Sequence, residues 1–307
     1  MAEHVPTDPL GQMYAEWTVE FTAAPEMRLP VLRWVFEDWQ RATAEPEGVT
    51  YASVEYGGVP GILASPLDAD PERMLLVLHG GGFALGSSAS HRKFAGHLAK
   101  AAGATAFVAD FRLAPEHPYP AQLDDADAVI DALLDAGFAA SALTPVGDSA
   151  GASIAIATTL RRLRDGRPLP GRVVVVSPWL DMENSGETIE TNDASDFLIA
   201  REGLQGNIDR YLSGGASPVD PLVNPLYADL TGFPPLYVTA SDSESLYSDA
   251  LRLVEHARRD GVDVVFEPVS GEQHVWPLQA GRHAPADASI SRIAEWLRTA
   301  RDARDAA

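Results

Sequence analysis

One serine in the chain stands where a serine can be made to attack a carbonyl. In Thr144-Pro145-Val146-Gly147-Asp148-Ser149-Ala150-Gly151, Ser149 has glycine two residues before it and two after, and an Ala-rich stretch, Ala152 to Ala157, follows. A hydroxyl lifted out of a sharp strand-to-helix turn needs small neighbours at ±2, because a side chain there would collide with the turn itself. The helix that follows aims its positive end at the hydroxyl. The pattern predicts a nucleophile at Ser149 on a G-x-S-x-G elbow.

A serine hydroxyl attacks only when a base takes its proton and a third group orients that base. On an elbow of this kind the partners follow in chain order, acid and then histidine, on loops after later strands. Of the eight histidines, only His256, His274 and His283 come after Ser149. His256 falls inside a predicted helix, and His283 lies nine residues beyond His274. His274, in Ser270-Gly271-Glu272-Gln273-His274-Val275-Trp276, directly follows the last predicted strand, so position selects it as the base. The acid comes from Ala240-Ser241-Asp242-Ser243-Glu244-Ser245-Leu246. Either Asp242 or Glu244 could reach an imidazole from there, and spacing alone does not choose between them.

A second feature is His79-Gly80-Gly81-Gly82-Phe83, at the end of an apolar run. Three successive glycines let backbone N–H groups converge on one point without side chains in the way. With the N–H of Ala150 they would form an oxyanion hole for the tetrahedral intermediate of acyl transfer. The spacing fits neither the phosphate loop G-x-x-x-x-G-K-[ST] nor the dinucleotide fingerprint G-x-G-x-x-G.

The elements that must hold these residues follow from periodicity. Thr50 to Val54 and Val59 to Leu63 read as a hairpin across Gly57-Gly58. Arg73 to Leu78, Ala104 to Ala109, Val173 to Val176, Leu236 to Thr239 and Val262 to Phe266 read as buried strands, the last of them closing the series. Helices are expected around Phe94–Ala102, Asp124–Leu134, Leu246–Arg259 and Ile290–Arg301. Strands alternating with helices predict an α/β protein with a mostly parallel sheet and right-handed crossovers. Two amphipathic stretches in residues 1–47 read as helices ahead of the sheet. The polar stretch from Met182 to Ser217, with one helical patch near Leu204 to Leu212, reads as an insertion above the strand ends, where such sheets place ligands.

Composition narrows the chemistry. The chain has 307 residues, 46% of them hydrophobic, enough for a large folded α/β unit, and it has no cysteine. Thiolate catalysis, disulfides and cysteine-based metal sites are thereby excluded. A formal net charge of −21 argues against nucleic-acid and anionic-membrane partners. It also disfavours strongly anionic substrates unless a local basic pocket compensates. No apolar run approaches 18 residues, and the first residues carry no basic and apolar leader, so the expectation is a cytoplasmic protein.

Three blocks together resemble the hormone-sensitive lipase-like esterases, the bacterial family IV carboxylesterases of α/β-hydrolase fold. They are His79-Gly80-Gly81-Gly82-Phe83, Asp110-Phe111-Arg112-Leu113-Ala114-Pro115-Glu116-His117-Pro118 and Gly147-Asp148-Ser149-Ala150-Gly151. Ser177-Pro178-Trp179, Asp220-Pro221-Leu222 and His274-Val275-Trp276 resemble the branch holding acetyl hydrolases and monoterpene ε-lactone hydrolases. The resemblance implies a serine carboxylesterase acting on short acyl esters, with Ser149 as nucleophile, His274 as base and Gly81, Gly82 and Ala150 as oxyanion donors. It places the acid on Glu244, where the family usually has aspartate followed by proline, with Asp242 as the alternative. It implies no cofactor and no metal. It also implies a small-molecule ester partner, a homodimer through the sheet edge, and a helical cap built from residues 1–45 and an insertion at about 183–215. The catalytic unit would then span 46–307. Asp110 and Arg112 are expected to hold loops beneath the site by ion pairing, and Asp148 to be structural. The same elbow chemistry would equally serve a lactone hydrolase or a metabolite deacetylase. A non-catalytic receptor of the same fold is the reading from outside the enzymes, and the presence of His274 argues against it.

Overall fold

A computed structural model of the chain describes residues 8–24 and 27–302. The elements run α1 (Pro9–Ala23), α2 (Leu29–Phe36), β1 (Val49–Tyr56), β2 (Val59–Pro66), β3 (Asp70–Leu78), α3 (Ser88–Ala102), β4 (Ala104–Ala109), α4 (Ala121–Asp135), β5 (Leu143–Asp148), α5 (Ala150–Arg164) and β6 (Val173–Val176). After these come α6 (Thr188–Thr191), α7 (Arg201–Tyr211), β7 (Leu236–Ser241), α8 (Tyr247–Arg259), β8 (Val264–Val269) and α9 (Ala284–Asp302). The eight strands form one sheet in the order β1-β2-β4-β3-β5-β6-β7-β8. β1 and β2 form the expected antiparallel hairpin, β2 lies antiparallel to β4, and every later pairing is parallel.

The parallel strands are apolar on both faces because helices cover both. Along β3, Met74, Leu76 and Leu78 join the core with Leu123 and Ile130 of α4 and Ile154 and Ile156 of α5, while Leu75 and Val77 join Phe94 and Leu98 of α3 and Ile293 of α9 on the other face. The two-residue period of a strand makes that division. β6 divides in the same way: Val173 and Val175 face one core, Val174 and Val176 the other. Parallel order puts the carboxyl ends of β3, β5, β7 and β8 along one edge, so the loops beginning at His79, Ser149, Asp242 and Ser270 open on the same side.

The last strand differs from expectation at its start. It begins at Val264, because the Val262 amide donates to the Ala257 carbonyl (2.9 Å) and closes the end of α8. The expected insertion carries α6 as well as α7. The expected ion pairing at Asp110 and Arg112 is half right. Arg112 pairs with Asp125 of α4 (2.7 Å), but Asp110 instead accepts from the Ser88 amide (2.6 Å) and hydroxyl (2.7 Å) at the start of α3. A carboxylate at a helix N-terminus satisfies otherwise orphaned N–H groups and gains from the helix dipole.

Candidate active site

Ser149 takes φ 51°, ψ −121°, a strained conformation for a non-glycine residue. Three backbone bonds over-determine the turn: the Ser149 amide donates to Val176 (3.0 Å), and the Ser149 carbonyl accepts from Ala152 (3.1 Å) and Trp179 (3.1 Å). The flanking glycines are required by contact. A Cβ on Gly147 would lie 2.3 Å from the Gly151 carbonyl oxygen, and one on Gly151 would lie 1.9 Å from that of Leu78. The elbow is thus locked between β3 and α5 by backbone atoms that have nowhere to go.

The glycine loop packs against the elbow. The Gly80 amide donates to Asp148 Oδ1 (3.1 Å), which gives Asp148 a structural role. His79 stacks on Phe111 with centroids 4.3 Å apart, and its Nδ1 bonds the Gly80 carbonyl (2.8 Å). Burial, together with nearby His91, pushes the His79 ring down to about 4, so it is neutral and donates from Nδ1. Gly81 and Gly82 have φ of 115° and 61°, a region that favours glycine. A Cβ on Gly81 would also meet the Leu85 carbonyl oxygen at 2.3 Å. Among the described residues neither the Gly81 nor the Gly82 amide donates a hydrogen bond within the protein.

His274 lies in the loop after β8, 1% exposed, and its Nδ1 meets Glu244 Oε2 at 2.6 Å. Glu244 is fully buried, and its other oxygen accepts from the Ser241 amide (2.8 Å). Burial raises the Glu244 carboxyl above its usual range against the lowering effect of the His274 bond. Burial alone would pull the His274 ring down. The hydrogen bond and charge of Glu244, joined by Asp196 and Asp148, outweigh it and raise His274 above its ordinary value. His274 Nε2 is buried without a hydrogen-bond partner among the described residues, so no bond to Ser149 is formed in this state. Such bonds are often long in unliganded enzymes and tighten with substrate.

The other candidates are elsewhere. Asp242 is exposed, accepts from Ser270 Oγ (2.7 Å) and the Gly271 amide (3.1 Å), and is held below its usual range by those bonds. His283 bonds Glu272 (2.7 Å), and His256 of α8 meets Asp260 just past the helix end (3.0 Å). Among the described residues no group of His, Asp and Glu is arranged to hold a metal ion. No described helix is long and apolar enough to cross a membrane.

Several residues with no sequence signature hold the histidine loop. Val275, next to His274, adopts φ 54°, ψ 36°, unfavourable for a β-branched side chain. Its amide donates to Ser177 Oγ (3.1 Å), and the His274 carbonyl accepts from the Tyr14 hydroxyl (3.1 Å), which itself accepts from Trp39 Nε1 (3.1 Å). Asp196 accepts from the Ser245 amide (2.7 Å), and Gln273 bonds the Phe197 amide (3.1 Å) and the Ser195 carbonyl (2.9 Å). The 192–199 segment therefore ties the Glu244 loop to the His274 loop.

Ser149, His274, Gly81 and Gly82 all line one cavity of about 440 Å³. Phe21, Leu32, Phe36, Trp39, Leu198 and Ile199 give it an apolar lining, and α7 contributes another part of the wall. A serine, a carboxylate-bound imidazole and unsatisfied glycine amides around one void are the parts that acyl transfer requires.

Comparison with known proteins agrees. A family described as the α/β hydrolase fold matches residues 75–278. The chain is 41% identical over 234 residues to an acetyl-hydrolase of Streptomyces hygroscopicus, covering 74% of this chain and 76% of that protein. It is 34% identical over 228 residues to an esterase of Acinetobacter venetianus, covering 74% and 75%. It superposes with a TM-score of 0.88 on the crystal structure of an esterase from the bacterial hormone-sensitive lipase family, at 35% identity over 93% of this chain and 96% of that one. The chain belongs to the hormone-sensitive lipase-like carboxylesterases. It is a carboxylic-ester hydrolase of α/β-hydrolase fold.

Proposed function

We propose that this esterase cleaves short-chain acyl esters through an acyl-enzyme on Ser149. The observation that carries the reading is the buried Glu244–His274 bond, which leaves the far ring nitrogen unpartnered beside the cavity that Ser149 lines. With Nδ1–H donated to Glu244, Nε2 is the basic nitrogen. It takes the Ser149 proton as Oγ adds to the acyl carbonyl. The amides of Gly81, Gly82 and Ala150 receive the oxyanion. On collapse, the C–O bond to the alcohol breaks and His274 returns the proton to the departing oxygen. A water, deprotonated by the same nitrogen, then releases the acid and regenerates Ser149. Glu244 stays ionised and balances the imidazolium.

Within the expected bounds 1–45 and 183–215, residues 8–24, 27–45 and 183–215 act as a cap over this site. Thr18, Phe21 and Trp39 from the first segment and Leu198, Gly206, Asn207 and Arg210 from the second reach the cavity, which supports that role. The expected start of the cap at residues 1–7 lies outside the described residues. A void of this size beside an aromatic wall suits acyl groups from acetyl to about hexanoyl.

The test is covalent. A fluorophosphonate probe should label the protein at Ser149 and abolish p-nitrophenyl acetate turnover. Ser149→Ala should escape labelling and lose on the order of 10⁶ in kcat. Full turnover by purified Ser149→Ala would refute the mechanism.

A further inference from the structure

The wall formed by α7 differs from the rest of the cavity. Gly203, Gly206, Asn207 and Arg210, spaced three and four apart, face the void together. Asn207 stands directly against the oxyanion loop: a Cβ on Gly82 would lie 2.1 Å from Asn207 Nδ2. Arg210 Nη1 donates to Asn207 Oδ1 (2.9 Å). A guanidinium only donates, so this bond fixes the carboxamide with its oxygen towards Arg210 and its NH₂ towards Gly82.

Arg210 is half-buried, and the Asn207 oxygen is its only side-chain hydrogen-bond partner among the described residues, with no carboxylate in ion-pair range. Other arginines are neutralised: Arg201, at the start of the same helix, pairs with Glu190 (2.6 Å), and Arg252 of α8 pairs with Asp181 (2.6 Å). In a chain with 44 acidic and 23 basic residues, an arginine left without a carboxylate inside the reaction cavity is conspicuous. Glu202, which also lines the cavity, is exposed, whereas Arg210 is half-buried. Arg210 is thus a local basic pocket of the kind an acidic protein needs to accept an anion.

We infer that Arg210, with the Asn207 carboxamide, is a specificity site for a carboxylate on the substrate, so the preferred esters carry one free acid group in addition to the acyl linkage. Arginine's planar fork suits a carboxylate, and the Asn207 NH₂ adds a donor next to the oxyanion loop. The aromatic side chains lining the same cavity take the apolar remainder. The inference rests on the hydrolase reading for turnover, but not for binding.

Two ester pairs test it, one with the acid on each side of the scissile bond: p-nitrophenyl hydrogen glutarate against its methyl ester, and 3-acetoxybenzoate against its methyl ester. For at least one pair, the ratio of kcat/KM, acid over neutral, should fall tenfold or more in Arg210→Gln, mostly through KM, and Arg210→Lys should recover part of it. Ratios that do not move for either pair would overturn the inference. Calorimetric binding of 3-acetoxybenzoate and of glutarate monoester to Ser149→Ala, with and without Arg210→Gln, reads the site without chemistry. Weaker binding of at least one in the double variant supports the carboxylate site even if no ester is turned over, an outcome that would sink only the proposed mechanism. Equal binding of both acids overturns the site even if Ser149 proves to be the nucleophile.

Discussion

Neutralising Glu244 should do more harm than losing a charge. Glu244 uses both oxygens, one accepting from the Ser241 amide (2.8 Å) and the other meeting His274 Nδ1 (2.6 Å). In Glu244→Gln only one oxygen remains. The Ser241 N–H is a fixed backbone donor, so the amide oxygen turns towards it and the NH₂ faces His274. A donor at that position requires Nδ1 to be the unprotonated nitrogen, which moves the ring proton to Nε2. That nitrogen then has no lone pair for the Ser149 proton. Holding the wrong tautomer in otherwise intact geometry costs about 10⁴ in kcat, or roughly 5.5 kcal/mol of transition-state stabilisation. KM should change little, since the carboxylate is buried behind the imidazole. Asp242→Asn should stay within a few-fold of the parent, because Asp242 is exposed and, among the described residues, its carboxylate bonds only Ser243 of its own turn and the Ser270–Gly271 loop. Steady-state kinetics on p-nitrophenyl acetate, with circular dichroism to confirm folding, decide the matter. A Glu244→Gln enzyme retaining more than a tenth of kcat, or a larger loss in Asp242→Asn, would refute the reasoning.

Other consequences follow from the same geometry. His274 must be neutral to act as base and is raised above its ordinary value, so kcat/KM should fall as pH drops through a midpoint above 6.5, whereas a midpoint below 6.5 would contradict the Glu244 effect. Tyr14→Phe leaves the Trp39 N–H and the His274 carbonyl unpartnered in a buried site, which should cost about 1–3 kcal/mol in urea unfolding and lower kcat more than KM. Gly151→Ala forces a methyl to within 1.9 Å of a backbone oxygen of β3, and should destabilise by more than about 3 kcal/mol or abolish soluble expression; unchanged thermal unfolding would disprove the steric account of the elbow.

The chain's local chemistry shows in its residue order. Ser149 is legible because its strain is local: Gly147 and Gly151 are small for reasons contained within five residues. The glycine triplet at 80–82 is legible for the same reason, and so are strands such as Ala104–Ala109 and Val173–Val176, whose continuous apolar runs require cover on both faces. His274 follows from chain order once the strands are counted. Those features determine the fold class by themselves and single out the residues proposed as nucleophile and base.

The rest depends on contacts between residues far apart in sequence, which leave no local pattern. Asp242 and Glu244 are equivalent carboxylates two residues apart until the turn after β7 buries one and exposes the other. Tyr14 reaches the His274 carbonyl across 260 positions, and Asn207 meets Gly82 only when α7 is laid over the site. Asp110, expected in an ion pair, instead caps a helix whose start lies 22 residues before it. Short-range sterics write themselves into neighbouring residues. The burial of an acid, the support of a histidine loop and the charge lining a cavity arise only when distant segments pack, and there only the tertiary structure decides.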